Sequence, residues 1–145
     1  MTRRVEAGPA DTLTISPEKV IFVIEKAREF SAKDVLTDSD PGSNATDDGM
    51  AAVLEDHPDD SAVMEMASLI RSLNVDEQID LVTLMWVGRD SYKAEEWTEV
   101  RSQALAAHSS HTARYLAGTP LLADFLADGL DVLGYDVASL EAETF

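Results

Sequence analysis

The segment Glu77-Gln-Ile-Asp-Leu-Val-Thr-Leu-Met-Trp-Val87 constrains this chain most. Ile79, Leu81, Val82, Leu84, Met85, Trp86 and Val87 leave almost no polar face if the segment is helical. A helix with apolar residues nearly all round has to be covered on every side. The reading is therefore a central helix over 77–87, capped by Asp76, closed by Gly88 and wrapped by other helices.

The neighbouring segments supply the wrapping. Ser16 and Pro17 suit the start of a first helix, and Val20, Val23, Ile24 and Ala27 share one face of it. Phe22 falls on the opposite, polar side and is a candidate interface residue. A second helix is expected from 61 to 73, with Asp59 and Asp60 at its start and Asn74 at its end. Its stripe is Val63, Met66, Ala67 and Ile70. A fourth is expected from about 94 to 116. If it is continuous, Trp97, Val100, Ala104, His108, His111 and Tyr115 share a face with Arg101 at the edge, while Ser109-Ser110 is the place where it would bend or split. The last helix has Thr119 as cap and Pro120 at its first position. Its stripe is Leu122, Phe125, Leu126, Leu130 and Leu133, and Gly134 ends it. No strand pattern competes. The expected fold is all-α, a compact bundle of about five helices in one domain over 13–134. A flexible tail over 1–12 precedes it and an acidic tail over 135–145 follows.

Charge narrows the function classes. There are 28 Asp and Glu against 11 Lys and Arg, a net charge of −17. Phosphate contacts need clustered cations, so direct nucleic-acid binding and an anionic membrane surface are disfavoured. No cysteine is present, which excludes disulfides, thiol chemistry and Cys-ligated zinc. No apolar run approaches the ~20 residues of a membrane span. The opening residues lack the apolar core of a signal peptide, and a cytoplasmic location is expected.

Three constellations could carry chemistry. Residues 37–49, TDSDPGSNATDDG, form an acidic loop. Counting from Asn44, Gly49 and Glu55 match the calcium-loop positions, with Asp48 between them. Position 1 is Asn, position 3 is Thr46, and Pro41-Gly42 and Pro58 shorten the flanking helices. A solvated loop is the better reading, and Asn44, Asp48 and Glu55 are weak cation candidates only. His108 and His111 are three apart on the face of Trp97, Arg101 and Tyr115, a spacing metal sites in bundles use together with Glu. Leu105 stands where that Glu belongs, so no metal is assigned. Neither histidine has a nucleophile placed beside it, and Ser109-Ser110 lacks the strained turn of a hydrolase serine. Lastly, Trp86, Arg89 and Tyr92 bring aromatic and Arg groups to a helix corner, residue types enriched in interaction hot spots.

The runs LTISPEKVIFVIEKAREF, SNATDDGM, LNVDEQIDLVTLMWVGRD and ARYLAGTPLLADFLADGLDVLG resemble an uncharacterised bacterial family known only as a domain of unknown function. The resemblance covers about residues 13 to 134. It implies a small, mainly helical protein with no assigned activity, and carries over no catalytic residue and no cofactor. The leading expectation is a non-enzymatic interaction or regulatory module with a protein partner or a second copy of itself, as a homodimer. The alternative is a metal-dependent or histidine-using enzyme on the Trp97–Tyr115 face. DNA mimicry by the carboxylate array is a third.

Overall fold

The computed structural model describes residues 13–37 and 61–144, with side chains over 13–30 and 61–142. The expectations for the tail over 1–12, the acidic loop beyond Thr37, Asn44, Asp48, Glu55, and the caps Asp59 and Asp60 fall outside the described residues. Within them the chain forms seven α-helices and no strand. They are α1 (Pro17–Thr37), α2 (Ser61–Ser72), α3 (Val75–Asp90), α4 (Trp97–Ala107), α5 (Thr112–Ala117), α6 (Leu122–Val132) and α7 (Val137–Thr144). A short 3-10 turn, Ala94–Glu96, leads into α4.

The expected central helix is α3. Ile79, Leu81, Leu84, Met85 and Val87 are fully or almost fully buried. Burying each such side chain contributes about 1.5–3 kcal/mol before chain entropy is counted. Helices α4, α5 and α6 pack against α3, while α1 packs on α2, α6 and α7. The α1 stripe is buried as expected, and Ile21 joins it.

Several helix ends differ from the sequence reading. Asn74, expected to close α2, caps α3 instead: its side chain accepts the Glu77 N–H at 2.8 Å, and Glu77 Oε1 accepts the Asn74 N–H at 3.0 Å. This reciprocal pair satisfies two end groups at once and starts α3 before Asp76. Glu77 Oε2 is also 3.0 Å from Lys19 Nζ, tying α1 to the same point.

Gly88 does not end α3. The helix runs on to Asp90 and stops at Ser91, whose φ of 60° is left-handed. Gly88 is instead where α6 crosses. A Cβ on Gly88 would lie 1.9 Å from the Phe125 carbonyl oxygen, and one on Gly129 would lie 2.3 Å from that of Leu84. The two backbones meet with no side chain between them.

The expected helix over 94–116 is divided. His108 adopts an extended ψ of 140° and ends α4. Ser109 Oγ accepts the His111 N–H at 3.1 Å, and the Thr112 hydroxyl donates to the Ser109 carbonyl at 3.2 Å. Local bonds of this kind offer the backbone an alternative to helical pairing. Thr119 does not cap α6; its hydroxyl donates to the Tyr115 carbonyl at 2.8 Å, and α6 begins after Leu121 in left-handed geometry (φ 61°). Residues 137–144, expected as part of the acidic tail, form α7. Arg28 ties it to α1 by pairing with Glu141 and with Glu25.

Candidate functional site

A groove lies beside the division between α4 and α5. Because the chain turns at His108–His111 rather than continuing straight, this groove of about 370 Å³ opens between that corner and α3. Its floor is apolar: Ile79 and Val82 from α3, Ala104 and Ala107 from α4. Trp86 and Tyr115 form one end. His108, Ser109, His111 and Thr112 form the corner rim. None of the described carboxylates lines it.

The rim groups are held by specific bonds. Trp86 Nε1 donates to Tyr115 Oη at 2.8 Å. The Arg89 guanidinium lies 6.0 Å from the Trp86 ring centroid. It pairs in two-pronged fashion with Asp90. The Asp90 hydrogen bonds push the Arg89 guanidinium up, burial opposes them, and the Tyr115 oxygen adds to the rise. Asp90 is held below the usual carboxylate range by the same pairing.

His108 is oriented through Gln78. The Gln78 amide nitrogen donates to the Ile70 carbonyl at 2.9 Å, so its oxygen faces His108 Nε2 at 2.8 Å. An amide oxygen only accepts, so Nε2 is the donor in this bond. The chain Ile70–Gln78–His108 thus joins α2, α3 and the corner.

The expected face of Trp97, Arg101, His108, His111 and Tyr115 separates in space. His108, His111 and Tyr115 reach the groove. Trp97 is 4% exposed and belongs to the core. Arg101 turns to α3, where its Nε donates to Asp80 Oδ1 at 2.7 Å, with Asp76 at 3.4 Å. Of the expected corner, Trp86 enters the groove, Arg89 sits behind it, and Tyr92 packs on the core. The Trp86–Tyr115 bond therefore joins two clusters that the sequence presents separately. Phe22 is half-buried, with the Lys26 ammonium 5.4 Å from its ring centroid. Lys26 is also 2.6 Å from Glu65, and that bond raises its pKa.

Sequence reasoning missed Gln78 and Asp80. The signal for Asp80 was present: a carboxylate between Ile79 and Leu81 in an otherwise apolar helix needs a buried partner.

The model of the family described as a protein of unknown function, DUF3775, matches residues 63–135, just over half of the chain. The chain belongs to this family. The DUF3775 match takes in α3, the α4–α5 corner and α6, and so every groove residue named above. Helices α1 and α7 lie outside it. No curated protein and no solved structure matches the chain. No described helix is long and apolar enough to cross a membrane, and no group of three or more His, Asp or Glu side chains that could hold a metal ion gathers among the described residues.

Proposed function

We propose that the protein is a non-enzymatic binding module whose recognition surface is the groove between α3 and the α4–α5 corner. One observation carries this reading. The floor is apolar while the rim groups already hold protein partners: Trp86 with Tyr115, His108 with Gln78, Thr112 with Ser109. Groups fixed in this way orient a bound molecule. They are not arranged for hydrolysis. The Ser109 Oγ accepts the backbone N–H of His111, and among the described residues no imidazole is bonded to it.

The charge of −17 disfavours nucleic acid as the partner. A homodimer through Phe22 has less behind it, since Lys26 already covers the ring and like charge opposes self-association. A cytoplasmic location belongs to the same proposal. The histidine-using enzyme gains no specific support from the geometry.

The test uses 3-phenylpropan-1-ol as a neutral probe and a variant that fills the groove. Ala107 lines the groove and is exposed, so Ala107→Trp fills the groove without disturbing the core. Saturable binding by the natural chain, lost in Ala107→Trp, is expected. No binding, or equal binding by both, contradicts the proposal.

A further inference from the structure

The groove differs from the rest of the molecule in charge. The chain is strongly acidic, yet the described groove lining holds no carboxylate. Its titratable lining groups are His108, His111 and Tyr115, and the Arg89 guanidinium stands behind Trp86 at one end.

The rim also has donors to spare. Tyr115 Oη accepts the Trp86 indole N–H, which leaves the phenolic hydrogen free to donate. His111 stands one helical turn before Tyr115, with the Tyr115 N–H bonded to the His111 carbonyl at 2.9 Å. The two side chains therefore rise on one side of the corner. A ligand oxygen at this end meets a phenol O–H and an imidazole, with no carboxylate in the described lining; the Arg89 guanidinium behind Trp86 is already paired with Asp90. The Ile79–Val82–Ala107 floor takes an apolar body.

We infer that the groove binds a small carboxylic acid with an aromatic or alkyl body, its carboxylate at His111 and Tyr115 and its apolar part on the α3 floor. This rests on the groove being the recognition surface, as proposed above. A volume of about 370 Å³ lies near the lower end of small-molecule pockets, which favours a free acid over a folded partner.

The test compares three probes with one body: 3-phenylpropionate, 3-phenylpropan-1-ol and 3-phenylpropylamine, titrated calorimetrically into the full chain. The acid should bind about tenfold more tightly than the alcohol, the size of effect one charge-assisted hydrogen bond supplies. The amine should bind most weakly. Tyr115→Phe should remove most of the difference between acid and alcohol. His111→Glu, at an exposed position, should reverse it. Alcohol binding as tight as the acid overturns the acid assignment while leaving the groove as a binding surface. Failure of all three probes overturns both. An acid preference that survives His111→Glu and Tyr115→Phe places the carboxylate elsewhere and contradicts the inference. Tighter binding by acetyl-Gly-Phe with a free carboxyl terminus than by 3-phenylpropionate would assign the groove to peptide ends, against a free small acid.

Discussion

Arg101 Nε donates to Asp80 Oδ1 at 2.7 Å, with the Asp80 side chain wholly buried. The other Asp80 oxygen accepts the backbone N–H groups of Thr14 and Ile15. One carboxylate thus fastens the entry to α1 and the middle of α4 onto the central helix. Burial works against the Arg101 charge, but the Asp80 and Asp76 contacts outweigh it and raise the guanidinium pKa.

Asp80→Ala strands Arg101 and two backbone donors together. The expected cost is about 3–5 kcal/mol, the range for breaking a buried ion pair from one side. Arg101→Ala also leaves a buried charge, but two N–H donors still satisfy it, so its cost should be smaller. Urea denaturation of the two variants gives the order. A larger loss from Arg101→Ala would contradict this account of Asp80.

Gly88 and Gly129 give a prediction whose sign decides. Helix propensity alone makes Gly→Ala in a helix favourable by about 0.5–1 kcal/mol. Here the new methyl would run into a backbone carbonyl of the facing helix in both cases. Gly88→Ala and Gly129→Ala should each destabilise by about 2–3 kcal/mol, because a packed backbone crossing cannot yield as a side chain can. Gly134 is a control of another kind. Nothing surrounds its added Cβ, and its φ of 94° alone opposes a side chain. Gly134→Ala should cost only about 1 kcal/mol. Thermal unfolding of the three variants separates crowding from conformational strain.

Acid lability follows in part from Glu77. The Asn74 N–H, then Lys19, lowers its pKa in the folded chain. Its contribution is present above the unfolded-state pKa of about 4.3 and is lost as pH falls through the lower folded value. Glu77→Gln should therefore destabilise near neutral pH by about 1 kcal/mol and lose that effect at the acid end. Denaturation midpoints of both proteins across pH 2–7 check it (~2–7 spans the carboxylate range). A constant difference over that range would contradict the assignment.

Glu25 should behave in the opposite sense. Burial, then the neighbouring Glu141 carboxylate, raises its pKa despite Arg28. Its favourable contribution is full below the unfolded-state pKa and is lost as pH rises through the folded value. Glu25→Gln should thus stabilise the contact of α7 with α1 at neutral pH and have little effect at about pH 4. Hydrogen exchange of the α7 amides reads this directly. Faster exchange in Glu25→Gln at neutral pH would contradict it.

The central helix was legible because a helix apolar on all sides has few alternatives. The start of α1 and the buried stripes of α1 and α2 were legible from local spacing. Gly88 misled because glycine serves two ends, stopping helices and letting them touch, and only the position of Gly129 distinguishes them. Asn74 misled because the residue between two close helices can close one or open the next; the Glu77 reach-back decides. The groove was hidden for a related reason. His108, His111 and Tyr115 were singled out together, but their meeting with Trp86 depends on the chain turning at Ser109, which spacing along one straight helix cannot express.

The chain has two tryptophans, Trp86 at the groove and Trp97 in the core. Their indole N–H resonances report separately on the two places in a nitrogen–proton correlation spectrum. On titration with 3-phenylpropionate, the Trp86 resonance should shift saturably while that of Trp97 stays in place. A shift confined to Trp97, or no saturable shift of either, would contradict the groove as the recognition surface.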